Sequence, residues 1–221
     1  ESNTAGENVA VGNHTLQNNT TGYQNTALGT NALLSNTTGY ENSATGLNAL
    51  RSNTTGRWLT ANGAYALRNN TIGEGNTGIG VTALENNTTG NRNTALGQAA
   101  LRNNATGNDN VGVGYQALNR NTASGNVAVG GNALSLNTTG ESNTAIGDDS
   151  SQNNTTGGFN TAVGSRALRV NQTTRGNVAV GYESLSSMVN NPFAFAPNTA
   201  VGYQALRNIT VASSNNAFGH H

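Results

Sequence analysis

The stretch NTALGTNALLSNTTGYE, residues 25–41, is one copy of a 17-residue unit that repeats along almost the whole chain. Glycine marks the repeat most clearly. The position of Gly29 recurs every 17 residues, with one residue lost before Gly130 and four gained before Gly202. Thirteen copies of one unit predict a stacked repeat protein, in which function resides on a surface more often than in a single deep pocket.

The unit is numbered here from its first asparagine, so that Asn25 holds the first position and Glu41 the seventeenth. Its third and eighth positions are mostly Ala, its fourth is mostly large and apolar, and its ninth is almost always Leu. The glycines and the Asn-Thr-Thr-Gly in each unit are poor helix residues, whereas short extended segments joined by turns suit them. We therefore predict an all-β parallel β-solenoid, or β-roll, of about 13 rungs, with Thr-Ala-Val as one strand and Ala-Leu at the centre of another.

This pattern predicts a single solenoid domain over residues 1–219, followed by a purification-tag remnant at 220–221. The predicted core holds one apolar fourth-position side chain and one Leu per rung. Burying both contributes about 3 to 6 kcal/mol, whereas ordering each residue costs about 1 to 2 kcal/mol. Association along the length of the chain would add the Ala columns to the buried surface, which favours a side-by-side homotrimer.

Asparagine at the twelfth position is the most regular polar feature of the repeat, as at Asn36 and Asn53. Identical asparagines stacked at the strand spacing of about 4.8 Å can hydrogen-bond to each other as a ladder. Asparagine also tolerates the left-handed backbone of a corner. The same Asn-x-Thr triplets match the N-glycosylation pattern, but the geometry of a stacked corner already explains one triplet per rung.

Composition argues against several functional classes. Ten basic and ten acidic residues give a net charge of zero, with no basic stripe for nucleic acid. No apolar run is long enough to cross a bilayer, so we expect no membrane insertion by this fragment. Cysteine is absent, and His14 is the only histidine before the last two residues, so no nucleophile–base set is apparent. The expectation is a protein that is not an enzyme and uses no cofactor.

Residues that depart from the repeat are the candidates for function. Tyr23 and Tyr40 hold the sixteenth position of successive rungs, and Arg57-Trp58 follows them with the only Trp of the chain. We expect these four side chains to lie together along one corner. Aromatic faces beside an arginine can stack on sugar rings, although a ladder of exposed aromatics can equally stabilise the solenoid alone.

Two further departures are an acidic pair and an apolar loop. Asp148 and Asp149 are weak candidates for a hard cation such as Ca²⁺, and a solvated variant rung is the favoured interpretation. Ser151 replaces the ninth-position Leu in the same unit and suggests a locally loose rung. Phe193 and Phe195 lie in the Pro-bearing insertion before Gly202, which predicts either a ligand-contacting loop or a plug over the last rungs.

The sequence NVAVG, at residues 126–130 and 177–181, resembles the Asn-Ser-Val-Ala-Ile-Gly motif of trimeric autotransporter adhesin heads and related trimeric fibres. The resemblance covers nearly the whole chain, but the motif here is one residue shorter and often has Thr in place of the family's Val. It implies a parallel β-roll built from three chains side by side and displayed on a cell surface. It supplies no ligand.

The leading functional expectation is therefore an extracellular or cell-surface fibre or adhesin domain that recognises a cell-surface glycan or protein. Tyr23, Tyr40, Arg57, Trp58, Phe193 and Phe195 are its candidate ligand-binding residues. The alternative is an ice-binding β-solenoid, because threonine columns recur at the second, thirteenth and fourteenth positions. The adjacent Thr-Thr pair at a glycine corner weakens that alternative. A purely structural spacer is the third possibility.

Overall fold

The computed structural model of the chain describes residues 6–188, 197–210 and 214–220, which form an all-β parallel β-solenoid with no helix. The chain divides into two compact units, Glu1–Asp109 and Asn110–His221. The strands of the first unit are β1 (Val9–Val11), β2 (Thr26–Leu28), β3 (Ser43–Thr45), β4 (Thr60–Asn62), β5 (Thr77–Ile79) and β6 (Thr94–Leu96). Those of the second are β7 (Val111–Val113), β8 (Val127–Val129), β9 (Thr144–Ile146), β10 (Thr161–Val163), β11 (Val178–Val180), β12 (Thr199–Val201) and β13 (Asn216–Phe218). The predicted solenoid is confirmed, while the homotrimer and the single domain stay predictions.

Within each unit, neighbouring strands pair in parallel in the register that the repeat predicts. Ala27 of β2 lies opposite Ala44 of β3, one 17-residue unit further along the chain. Val178 of β11 still pairs with Thr199 of β12, although the unit between them is four residues longer. The insertion therefore leaves the register of the strands intact.

The fourth-position side chains point outward, so the prediction that they form the core was wrong. In β2 the central Ala27 is fully buried, whereas Leu28 is 48% exposed. Successive side chains of a strand alternate between its two faces, so a three-residue strand buries either its middle residue or its two ends. Here the small alanine faces inward, which lets the two sides of each rung approach closely. The Ala columns are thus buried inside one chain and need no partner for their burial.

The Ala-Leu segment is also not a second strand. It forms a succession of turns in which the buried Leu33 and its counterparts have left-handed backbone angles, with φ near 50° at Leu33. Hydrogen bonds still run from rung to rung, as from Leu33 N–H to the Ala49 carbonyl at 3.0 Å. The core of a typical rung is therefore one leucine with two alanines, and the burial of the leucine offsets the roughly 1 to 2 kcal/mol cost of the left-handed conformation.

The predicted asparagine ladder is confirmed within each unit. Asn53 Nδ2 donates to Asn36 Oδ1 at 2.9 Å, and in the second unit Asn154 Nδ2 donates to Asn137 Oδ1 at 2.8 Å. A second buried column at the first position was not anticipated. There Asn25 Oδ1 accepts the backbone N–H of Asn42 at 3.1 Å, and Asn25 Nδ2 donates to the Gly39 carbonyl. The two columns satisfy backbone groups that the corners would otherwise bury unpaired.

Candidate functional site

The predicted aromatic corner is present in the first unit. The rings of Tyr23 and Tyr40 are stacked with centroids 4.8 Å apart, because both occupy the sixteenth position of adjacent rungs. Trp58 meets Tyr40 edge to face, with centroids 6.1 Å apart. The corner keeps a large aromatic surface in water, since Tyr23 is 43% and Trp58 50% exposed.

Arg57 contacts both Trp58 and Tyr40 and so links the side chains of the aromatic corner. Its guanidinium carbon lies 4.4 Å from the Trp58 ring centroid, and Nη1 donates to Tyr40 Oη at 2.7 Å. Its Nε lies 3.0 Å from Glu74 Oε2, an ion pair that is not aligned as a hydrogen bond. The hydrogen bond with Tyr40 and the contact with Glu74 raise the pKa of Arg57. One face of the indole is thus covered by a fixed cation.

The indole nitrogen of Trp58 is already paired. Nε1 donates to Glu41 Oε2 at 3.1 Å, from the seventeenth position of the preceding rung. This hydrogen bond and the contact with Arg57 fix the orientation of the ring. What Trp58 offers to a ligand is therefore apolar aromatic surface in a preset orientation.

A groove of about 510 Å³ opens beside Trp58. It arises because Gly75 holds the seventeenth position between Trp58 and Arg92, where long side chains stand on both neighbouring rungs. Two rung spacings place the backbones of Trp58 and Arg92 about 9.6 Å apart, with no side chain between them. The residues that line the groove are Trp58, Ile72, Glu74, Gly75, Thr89, Asn91 and Arg92.

The charged groups of the groove are paired. Arg92 binds Asp109 with two hydrogen bonds, Nε to Oδ1 at 2.6 Å and Nη2 to Oδ2 at 2.8 Å. The hydrogen bond from Arg92 lowers the pKa of Asp109 more than partial burial raises it. Glu74 is paired with Arg57 on the opposite side. The groove therefore combines an aromatic wall with polar groups and carries little net charge.

Sequence reasoning found Tyr23, Tyr40, Arg57 and Trp58, and the structure brings all four together. It missed the groove, which depends on the short residue next to Trp58 and not on the aromatics. The signal was available, because in the first unit Gly75 interrupts a column that otherwise reads Glu, Gln, Glu, Trp, Arg and Asp.

The other candidates lie elsewhere. Asp149 Oδ1 accepts hydrogen bonds from Gln152 Nε2 at 3.0 Å and Asn132 Nδ2 at 3.3 Å, and Asp148 is exposed. Among the described residues, no group of three or more His, Cys, Asp or Glu side chains could hold a metal ion. Phe193 and Phe195 lie outside the described residues, so the structure says nothing about the predicted loop contact.

The outer face of the strands is a second exposed surface. Each strand presents its second and fourth positions there, and none of these positions carries a charged residue in any of the 13 strands. The second position is most often Thr, and the fourth is Val, Leu, Ile or Phe except at Thr45 and Asn62. A column of large apolar side chains exposed to water, such as the fourth-position column, is typical of a surface that contacts another molecule.

No family model, no curated protein and no solved structure matches this chain. The described part of the chain contains no long apolar helix of the kind that crosses a bilayer. The Trp58 groove and the outer strand face are therefore the features that bear on the function of this chain.

Proposed function

We propose that this chain is a domain of a surface-displayed fibre or adhesin, which associates with copies of itself through the outer strand face and binds a cell-surface glycan in the Trp58 groove. The observation that carries the proposal is the groove: a half-exposed indole of fixed orientation beside a gap lined by hydrogen-bonding side chains. Its location on a cell surface or outside the cell follows from this role and from the adhesin-like repeat.

A pyranose ring suits this groove. One face of the sugar carries C–H groups that pack on an aromatic ring, while its hydroxyls need hydrogen-bond partners around the rim. Thr89 and the carboxylate of Glu74 line the groove beside Trp58 and can supply such partners. Asn91 can add only an acceptor, because its Nδ2 already donates to the Thr89 carbonyl and to Asn108 Oδ1. Because Arg92 in the groove and Arg57 beside it are both paired with carboxylates, a neutral sugar suits the groove better than an acidic one.

We expect Trp58→Ala to weaken binding to the preferred neutral glycan by about tenfold or more, because burying an aromatic face contributes about 1.5 to 3 kcal/mol. The measurement is a glycan array, followed by titration of the best neutral ligand. Phe159→Ala is the matched control. Phe159 holds the same seventeenth position in the second unit, is 51% exposed, and follows Gly158 in place of an arginine.

Glycan binding that is unchanged in Trp58→Ala, or equally reduced in Phe159→Ala, would contradict the proposed site. If the unmodified chain binds no neutral glycan, the adhesin proposal is wrong and a structural spacer becomes the better interpretation. Melting curves of both variants verify that a loss of binding does not reflect unfolding.

Self-association has a separate basis. Within each unit the outer strand face carries two uncharged columns, of which the fourth-position column is mostly large and apolar, so the same face of another copy can pack against it. Three copies placed around a common axis would bury the fourth-position columns of all three. This arrangement also accounts for large residues such as Ile146, which is 41% exposed in one chain.

We expect Ile146→Asp to convert a trimer into monomers, because the substitution places three like charges together on an apolar seam. Light scattering of the unmodified chain should give three times the mass of one chain, and the variant should give one. Val81→Asp is the control, since Val81 is 48% exposed in a turn outside the strand face. A monomeric mass for the unmodified chain refutes the trimer.

The ice-binding alternative gains one observation from the structure, since second-position threonines such as Thr77 and Thr94 lie opposite each other on adjacent strands. The same face, however, alternates these threonines with side chains of different shape, among them Leu28, Asn62 and Phe218. Regular rows of one small side chain suit an ordered water lattice better than this mixture. Self-association remains the function that this face supports best.

A further inference from the structure

The first unit contains a carboxylate held between two arginines at the tenth position of three successive rungs. Glu85 lies between Arg68 and Arg102, and its side chain meets both. Glu85 Oε1 is 3.6 Å from Arg68 Nη1, and Oε2 is 2.8 Å from Arg102 Nε. Glu85 is only 8% exposed. Two arginines that flank one rung can therefore hold a carboxylate above the backbone of that rung.

The second unit has the same two arginines without the carboxylate. Arg169 and Arg207 hold the tenth position on either side of Ser186. Backbone hydrogen bonds show that these three rungs are stacked in register. Leu168 N–H donates to the Ser184 carbonyl and Leu185 N–H to the Ala205 carbonyl, both at 3.0 Å. A short serine thus stands where Glu85 stands in the first unit.

A cavity of about 160 Å³ lies at this point. It is lined by Arg166, Arg169, Val170, Glu183, Ser186, Ser187 and Arg207. Its walls are polar apart from one valine, and they carry three arginines against one glutamate. Its size admits a carboxylate and part of the ring that bears it.

The one internal carboxylate does not neutralise this cluster. Glu183 occupies the seventh position of its 17-residue unit. Its Oε1 lies 3.4 Å from Arg166 Nη1, and its Oε2 lies 3.2 Å from Arg207 Nε. Arg169 has no carboxylate partner among the described residues. The cavity therefore retains an excess positive charge, next to the hydroxyl groups of Ser186 and Ser187.

Glu183 stays ionised in this setting. Partial desolvation raises the pKa of Glu183, but hydrogen bonds from Gln204, Tyr182 and Arg166 and the charge of Arg207 outweigh it, so the pKa is lowered overall. The excess charge of the cavity then amounts to that of two arginines. An anion that enters the cavity is attracted by this excess charge.

We propose that this cavity binds the carboxylate of an acidic sugar, a uronate, which lies over Ser186 between Arg169 and Arg207 as Glu85 lies between its own two arginines. The arginines supply paired donors to the carboxylate, and the serine hydroxyls face the ring hydroxyls. The stacked Tyr182 and Tyr203, with centroids 5.4 Å apart, border the cluster through Arg166, whose Nη1 contacts Tyr182 Oη. Aromatic and hydroxyl neighbours favour a sugar over an acidic peptide. The site lies in the second unit and is independent of the Trp58 groove.

The test is calorimetric titration of the full chain with trigalacturonate at low ionic strength. Binding should weaken at least tenfold in Arg169→Gln, and similarly in high salt, because the interaction is between charges. Ser186→Glu should abolish binding and raise the melting temperature, since the new carboxylate fills the gap as Glu85 does. Arg120→Gln, an arginine outside the cavity in the same unit, should leave binding unchanged.

Three outcomes would overturn the proposal. They are no binding of trigalacturonate by the unmodified chain, equal binding of its methyl ester, and undiminished binding by a correctly folded Ser186→Glu variant. Binding of poly-glutamate as tightly as trigalacturonate would overturn the assignment to a sugar. Trp58→Ala separates this site from the neutral-glycan groove, because it should leave uronate binding intact.

Discussion

Replacing Asn70 with leucine is expected to destabilise the first unit by about 3 to 6 kcal/mol, because it leaves several buried polar groups without partners. Asn70 is fully buried. Its Nδ2 donates to Asn53 Oδ1 at 2.9 Å and to the Gly73 carbonyl at 3.1 Å, and its Oδ1 accepts from Asn87 Nδ2 at 2.8 Å. Leucine has about the right volume but can make none of these bonds.

We expect the substitution to cost more at Asn70 than at neighbouring asparagines of the ladder, because Asn70 donates to a corner carbonyl that has no second amide donor. The corner carbonyl of Gly56 accepts two amides, Asn53 Nδ2 at 3.0 Å and Asn42 Nδ2 at 2.9 Å. At Gly73 the second amide is missing, because the first position of that rung is occupied by Leu59. Asn70 is thus the side chain on which the Gly73 carbonyl depends. Native Leu59 also indicates that leucine is tolerated in the first-position column.

Denaturant unfolding followed by circular dichroism measures this effect. Asn69→Leu is the matched control, since Asn69 is only half-buried and donates one side-chain bond, Nδ2 to Asn86 Oδ1 at 2.9 Å. We expect that control to change the free energy of unfolding by about 1 kcal/mol or less. Equal losses in the two variants would mean that the ladder contributes no more than an ordinary surface hydrogen bond.

Much of the fold could be predicted from the sequence because residues 17 positions apart occupy equivalent places on adjacent rungs. The spacing of Gly29 and its counterparts sets the register, and Asn36 and Asn53 must meet if consecutive rungs stack. The proximity of Tyr23, Tyr40 and Trp58 follows from the same register. Each of these inferences needs only the period and the parallel direction.

The orientation of the strands could not be predicted in this way. In Thr26-Ala27-Leu28, alternation permits either the alanine or its two neighbours to face inward, and hydrophobicity alone favours the leucine. The choice depends on the width of the rung, which is set by the left-handed Leu33 on the opposite side. A leucine in that conformation is unfavourable in isolation, so no local propensity predicts it.

The candidate sites also differ in how readily the sequence reveals them. Trp58 stands out in the sequence because it is a single departure from the repeat. The groove beside Gly75 and the cavity over Ser186 are instead gaps between long side chains two rungs apart. A gap becomes visible only when residues 17 positions apart are compared as neighbours, and small residues in such columns are then as informative as large ones.

The repeat glycine itself gives the second large effect. We expect Gly46→Ala to lower the free energy of unfolding of the first unit by about 3 to 6 kcal/mol, a large part of the stability of a typical domain. Gly46 has φ near 129°, and a Cβ built there would lie 2.6 Å from the carbonyl oxygen of Gly63. Both the backbone angle and the backbone of the next rung therefore exclude a side chain.

Gly75→Ala separates the backbone angle from this steric contact. Gly75 has φ near 65°, an angle that Trp58 and Arg92 adopt at the same seventeenth position. A Cβ at Gly75 would come no closer than 3.7 Å to its nearest neighbour, a side-chain carbon of Arg92. We expect that substitution to cost only about 1 kcal/mol.

Thermal and denaturant melts of the two variants provide the measurement. If Gly46→Ala is as mild as Gly75→Ala, the rungs can separate enough to admit a methyl group, and the close approach of glycine to carbonyl does not set the period of the repeat. If Gly46→Ala is severe and Gly75→Ala is mild, the glycine recurs every 17 residues because each one must make room for the backbone of the next rung. The recurring glycine is then a condition for stacking, and the seventeenth position remains free to vary for binding.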